Sequence, residues 1–281
     1  PQARALGTHR VRLDFNDVDA MASSLEGCDV LFSTYWVRFA DRGGESPHSM
    51  AAANCARLWE AAKRAGVQKI VMASHTRTSV DSPFPYISGK ATAEAALRAC
   101  GVNYAIVRPC GIFGDTAAES ILMNNAAWVL RRSPLFLLAG DGSHRFQPVH
   151  VRDIAELMEE LGTSLKTSGE EMDACGPDTP TALELFTKLR DERGGVARIA
   201  AAGPLLSTST ITALTKPIDW VTGDTLLDAD DLDLLTSGLT VADAPDDPRI
   251  KARRSLFEWI EAQGRDLGRG YVSSVERYYN V

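Results

Sequence analysis

"QKIVMASHTRTSVDSPFPYISGKATAEAALRACGVNYAIVRP", residues 68–109, decides the fold. "QKIVMAS" (68–74) is a short apolar run of strand length, residues 86–100 are alanine-rich at helical spacing, and "NYAIVRP" (103–109) is a strand again. A strand, a helix and a second strand in this order form a crossover unit with parallel strands. The same rhythm extends outward. "HRVRLDF" (9–15) alternates like a strand, and "DVDAMASSLEGC" (17–28) carries helical periodicity up to Gly27. "DVLFSTYW" (29–36) has the character of a buried strand, and "SMAAANCARLWEAAKRAG" (49–66) is a helix closed by Gly66. Downstream, "ESILMNNAAWVLRR" (119–132) is helical and "LFLLAG" (135–140) is a short strand. This alternation predicts a doubly wound α/β fold, with a mainly parallel sheet covered by helices on both faces.

After residue 140 the pattern loosens. "VHVRDIAELMEELG" (149–162) reads as a strand fragment and a helix, "EEMDACGP" (170–177) as a short strand, and "TALELFTKLRDERG" (181–194) as a helix. The domains expected are 1–140 for the main α/β body and 141–281 for a smaller C-terminal lobe packed on it. "LLDADDLDLLTSGL" (226–239) resembles a short helix with an acidic first turn, and "DAPDDP" (243–248) is a loop rich in helix breakers.

Composition excludes several classes. With 281 residues, 44% of them hydrophobic, the chain can bury a large core, and no run reaches the length of a membrane span. A net charge of −7 with no basic stripe excludes the usual footprint of nucleic-acid binding. The five cysteines (Cys28, Cys55, Cys100, Cys110, Cys175) have no CxxC spacing, which suits free thiols in the cytoplasm better than disulfides or a metal site. The partner expected is a small-molecule substrate; the sequence sets no oligomeric state.

Tyr86 and Lys90 are the chemical centre. Positions i and i+4 share a helix face, so the two side chains point into one cleft. A tyrosine ordinarily ionises near pH 10, and a neighbouring ammonium stabilises its phenolate and brings it into the range of general acid/base work. Ser74, twelve residues before Tyr86 at the end of a strand, supplies a hydroxyl at the carboxyl edge of the sheet, where open α/β sheets bind ligands. Alone, YxxxK also fits a half-buried tyrosine beside a solvated lysine.

With Ser74, Tyr86 and Lys90 in place, "VRPCGIFGD" (107–115), "RFQPVHVRDIAELM" (145–158) and "CGPDTPTALEL" (175–185) follow in order. Over residues 9 to about 190 the chain resembles the short-chain dehydrogenase/reductase superfamily, in its extended or atypical branch of NAD-dependent epimerase/dehydratase-like and NmrA-like proteins. It is also similar to their relative, the nucleotide-binding accessory subunit of respiratory complex I. The resemblance implies a Rossmann-type fold binding NAD or NADP. It also implies a Tyr-Lys acid/base pair working with hydride transfer, in an oxidoreductase or an epimerase/dehydratase. In that setting Tyr86 is the acid/base, Lys90 also holds the nicotinamide ribose, and Ser74 orients a substrate oxygen. Pro109, Gly111 and Ile112 face the nicotinamide, Asp14 meets the adenine, and Ser33 and Thr34 contact the adenosine ribose. The rival function is an NAD(P)-binding sensor or scaffold without catalysis. The superfamily's glycine-rich pyrophosphate turn is absent before residue 9, and the chain opens on Pro1, which predicts that a natural beginning of about 30–45 residues is missing.

Other residues keep two readings. Asp14 equally suits a turn or helix cap, and Tyr35 and Trp36 suit core aromatics. His75 could donate into the cleft or be structural, whereas His150 reads as structural. Arg145 could clasp a substrate phosphate or carboxylate, or pair with Asp153. Because the loops around the cleft carry few charges apart from Arg38, Asp41, Arg42, Asp115 and Arg145, and "STYWVRF" (33–39) supplies aromatic walls, the pocket expected is largely apolar. It suits a small carbonyl, a quinone-like ring or a lipid-like molecule, with nucleotide sugars second.

Overall fold

The computed structural model describes residues 9–37, 47–203, 207–213, 216, 224, 229–243, 254–263 and 266–273. Arg38, Asp41 and Arg42, and parts of the stretches 1–10, 226–239 and 243–248, lie outside them.

Among the described residues, two compact units are built from interleaved segments. The first runs up to Ser74 and adds Thr78–Val107 and Met158–Glu171. The second takes His75–Arg77, Arg108–Leu157 and the chain from Met172 onward. The sequence had suggested one division at residue 140.

In the first unit, Asp17 caps α1 (Val18–Leu25) by accepting the Ala20 N–H at 2.9 Å, which satisfies one of the donors a helix start leaves open. Strands β1 (Val30–Ser33), β2 (Lys69–Ala73) and β3 (Asn103–Pro109) alternate with α2 (Pro47–Arg64) and α3 (Pro85–Ala99). They pair in parallel, Val30 opposite Lys69 and Lys69 opposite Asn103. β7 (Glu170–Ala174) completes the order β1-β2-β3-β7.

Side chains alternate across this sheet with the period of two that a pleat imposes. Leu31, Ile70, Met72 and Ile106 pack with Met21, Leu58, Trp59 and Leu97 of the three helices. Phe32 points the other way, toward Gly162 in α5 (Val151–Thr163), where an added Cβ would fall 2.4 Å from the ring. Beneath the sheet, the fully buried Lys69 ammonium donates to Ser164 O, Thr167 Oγ1 and Glu170 Oε2 at 2.9, 3.0 and 2.7 Å. A buried charge is tolerated when it is paired and hydrogen-bonded in this way.

The second unit has its own core of Phe113, Leu130, Leu185, Leu189, Trp259 and Ile260. It contains two parallel pairs: β4 (Ile112–Phe113) with β6 (Val149–His150), and β5 (Leu135–Leu138) with β8 (Arg198–Ala201). Among the described residues its helices include α4 (Ile121–Arg132), α6 (Ala182–Arg193), α7 (Ala229–Thr236) and α8 (Leu256–Gln263). A reciprocal capping box between Thr181 and Glu184 opens α6, and Gly194 closes it at φ 63°. Gly176 has no room for a side chain, since a Cβ would lie 1.9 Å from the Pro148 carbonyl oxygen.

Two expectations need correction. Residues 9–15 form no strand: they run irregularly into a turn, with Val11 and Leu13 exposed, because alternation makes a strand only where a neighbour bonds to its backbone. The strand expected over 29–36 ends at Ser33. Elements β4, β8 and α8 were not foreseen.

Candidate active site

Tyr86 and Lys90 stand on the first two turns of α3, which begins at Pro85. A proline fits the first helical position because its φ is preset and its missing N–H would have had no partner there. Lys90 is 4% exposed. Its Nζ donates to the Ala73 carbonyl at 3.1 Å, lies 4.1 Å from the centre of the Trp36 ring and 6.0 Å from that of Tyr86. Burial pushes its pKa down from 10.5 to about 8, while Cys55 and Glu94 favour the charged form. Burial likewise raises the Cys55 thiol to about 11.

Ser74 follows β2, with its N–H bound to Val107 O at 2.7 Å. Its hydroxyl donates to Glu94 Oε1 at 2.6 Å, and Thr78 Oγ1 donates to the same oxygen at 3.2 Å. The other oxygen of Glu94 accepts from Arg98 Nη2 at 2.9 Å, and Arg98 also forks onto Glu171. Since the single serine proton is committed to Glu94, the oxygen faces any ligand as an acceptor. Sequence reasoning missed Glu94. The available signal was spacing: Tyr86, Lys90 and Glu94 are successive i, i+4 positions on one helix face.

An aromatic wall completes this group. The Trp36 indole N–H donates to His48 Nδ1 at 3.2 Å. Tyr86 meets both rings edge-on, with centroids 6.0 Å from Trp36 and 5.5 Å from His48. Tyr35 takes a core position, its hydroxyl accepting from Asn54 at 2.9 Å.

The remaining predicted residues are distributed as follows. Ser33 is buried at the end of β1 and Thr34 is exposed just after it. The register of Ser33 against Met72 brings this strand end to the same sheet edge as Ser74. Asp14 is an exposed turn residue whose carboxylate accepts the Asn16 N–H at 3.0 Å. In the second unit, Pro109 O accepts the Thr76 N–H at 3.1 Å and Gly111 O the Val149 N–H at 2.8 Å, with Ile112 opening β4 beside them. His75 is buried, its Nδ1 donating to Thr76 O at 2.7 Å. His150 accepts the Arg152 N–H at Nδ1 and faces Asp115 through Nε2. The exposed Arg145 donates to Thr179 O at 2.6 Å. The pairing of Arg145 with Asp153 is not formed, because Arg254 holds that carboxylate. Cys110 and Cys175, far apart in sequence, bring their sulfurs within 2.6 Å.

The donor set on the first unit fits the ribose and nicotinamide end of a dinucleotide: a buried ammonium, and polar side chains at the carboxyl edge of parallel strands. No glycine-rich pyrophosphate turn is present among the described residues.

Residues 2–127 match a family model described as NAD(P)H-binding. A curated relative, the mitochondrial NADH dehydrogenase [ubiquinone] 1 alpha subcomplex subunit 9 of Arabidopsis thaliana, is 29% identical over 132 residues, 47% of this chain and 32% of that protein. The chain spans less than half the length of the curated relatives it matches. Among solved structures, an NADPH-dependent quinone oxidoreductase from Escherichia coli, complexed with NADPH, superposes with a TM-score of 0.69 at 19% identity, covering 94% of this chain and 85% of that one. A nucleoside-diphosphate-sugar epimerase from Staphylococcus aureus gives a TM-score of 0.61 at 18% identity, covering 89% and 81%. The chain therefore carries an NAD(P)-binding domain with a Rossmann-type parallel sheet. Among the described residues, no helix is long and apolar enough to cross a membrane.

Proposed function

We propose that the chain belongs to an NAD(P)-dependent oxidoreductase, with transient-hydride epimerase or dehydratase chemistry as the neighbouring possibility, acting through Tyr86, Lys90 and Ser74. The observation that carries this reading is the buried Lys90 ammonium beside Tyr86 on α3, with Ser74 at the adjacent strand end. When bound, NAD(P)H supplies the hydride. Tyr86 gives its proton to the substrate carbonyl oxygen, and the Lys90 ammonium offsets the charge of the phenolate left behind. The alcohol so formed donates to Ser74 Oγ, whose own proton rests on Glu94. Lys90 also holds a ribose hydroxyl, with Ser33 and Thr34 lining the cofactor at the same sheet edge. The aromatic wall suits a small carbonyl or quinone-like ring, and the five free thiols suit the cytoplasm. Tyr86→Phe should lower turnover on such a carbonyl by 100-fold or more with cofactor binding retained; turnover equal to the parent's would remove the acid/base role.

A second reading has its own support. The relatives include named subunits of NADH dehydrogenase, which favours an NAD(P)-binding scaffold in which this site binds cofactor without turning it over.

A further inference from the structure

Trp36 lies on the Lys90 ammonium, and nothing in the acid/base chemistry accounts for an indole there. Its ring centre is 4.1 Å from Lys90 Nζ, a distance at which the negative face of the ring attracts a cation. Its N–H, pointing away from that contact, donates to His48 Nδ1 at 3.2 Å. An imidazole that accepts at Nδ1 carries its proton on Nε2 when neutral, so the indole also sets the His48 tautomer. His48 in turn meets the Tyr86 ring edge-on at 5.5 Å and 77°. The close approach has a sequence cause: Gly89, between Tyr86 and Lys90, lets the backbone of His48 rest against α3, where a Cβ would stand 3.1 Å from the His48 carbonyl oxygen.

We propose that Trp36 and His48 are a positioning pair for the Tyr86–Lys90 site: the indole keeps the buried Lys90 ammonium charged and aimed, and through its N–H fixes His48 as a wall for Tyr86. The inference rests on reading Tyr86 and Lys90 as the working pair, but its physical content concerns the lysine charge and the histidine tautomer. Among the described residues, the titratable groups around Lys90 are Cys55 and His48 from α2 and Tyr86 and Glu94 from its own helix, while β2 contributes the Ala73 carbonyl. Burial works against the charge, Cys55 and Glu94 support it, and the indole face adds a support that does not itself titrate.

The test is NMR of the full chain, following the Lys90 side chain by ¹³C-labelled lysine and His48 by its ring nitrogens, with Lys90→Met and His48→Gln used for assignment. Trp36→Leu should shift the Lys90 titration to lower pH by about one unit, whereas Trp36→Phe, which keeps a ring face and loses the N–H, should leave it within a few tenths. Trp36→Phe should instead release His48 from the Nε2–H tautomer. If Trp36→Leu does not fold, incorporation of increasingly fluorinated tryptophans replaces it; the Lys90 titration should then fall stepwise with fluorine content as the ring face loses charge. A Lys90 titration indifferent to Trp36→Leu or to fluorination overturns the proposal, as does a His48 tautomer unchanged in Trp36→Phe. None of these readouts depends on turnover, so they are distinguishable from failure of the acid/base assignment, which Tyr86→Phe reports.

Discussion

Lys90 concentrates the chemistry into one residue, and its protonation makes a stability prediction. Its pKa is about 8 in the folded chain against 10.5 ordinarily, so between those values the unfolded chain holds a proton that the folded chain has released. Stability rises with pH wherever the unfolded state binds more protons. The parent should therefore gain on Lys90→Met by roughly 3 kcal/mol between pH 8 and 10.5, one pKa unit being about 1.4 kcal/mol, with a flat difference below pH 8. Cys55 runs the opposite way: its thiol stays protonated to about 11 against an ordinary 9.0, so its contribution is lost as pH rises through that window. Denaturant titrations of both chains in a Cys55→Ala background separate the two effects. A difference that stays flat through pH 10.5 would show that the lysine is not held against its charge. Tyr86, Lys90 and Ser74 were legible in the sequence because helical spacing and a strand end place them. The commitment of the Ser74 proton to Glu94 was not, since an acidic residue in an alanine-rich helix reads equally well as a solvated face.

At the scale of elements, spacing served where local rules dominate. The βαβ run 68–109 became β2, α3 and β3 nearly residue for residue, because a first-turn proline and apolar runs act within a few positions. It failed where the deciding partner is distant. Residues 9–15 alternate correctly yet make no strand, and α8 was missed although Ser255 caps it locally by accepting the Glu258 N–H at 3.2 Å; Asp178, more than seventy residues away, adds a second hold on its start. That carboxylate accepts from Ser255 Oγ at 2.7 Å and from the Leu256 N–H at 2.6 Å, the role a cap residue usually fills locally. Asp178→Ala should destabilise the chain by about 1–2 kcal/mol and speed amide exchange at the start of α8, while exchange in β2 stays unchanged. Gly176→Ala should be harsher, roughly 3 kcal/mol, because the atom its Cβ would strike is the Pro148 carbonyl oxygen, and backbone cannot swing aside as a side chain can. A thermal melt of Gly176→Ala indistinguishable from the parent's would contradict that packing.

For the whole molecule, the choice is between an enzyme and a cofactor-holding scaffold, and fold cannot make it, since sites outlive activities on shared architectures. The nearest arguments pull apart. An intact serine, tyrosine and lysine, with a half-buried tyrosine and a desolvated ammonium, favour catalysis; named relatives from NADH dehydrogenase, and a serine whose proton is already taken, favour binding alone. The two readings diverge in one measurement. NADH and NADPH are titrated into the full-length protein by cofactor fluorescence, and the bound cofactor is then challenged with small aromatic carbonyls, quinones and nucleotide sugars. The enzyme reading expects oxidation of bound cofactor by a quinone-like or carbonyl member, lost in Tyr86→Phe while affinity for the cofactor changes less than a few-fold, because the tyrosine acts on substrate oxygen and Lys90 holds the ribose. Binding that persists with no oxidation by any class, together with a stable protein partner recovered in a pulldown, would assign the chain to the scaffold reading and leave the Tyr86–Lys90 pair as part of a cofactor seat.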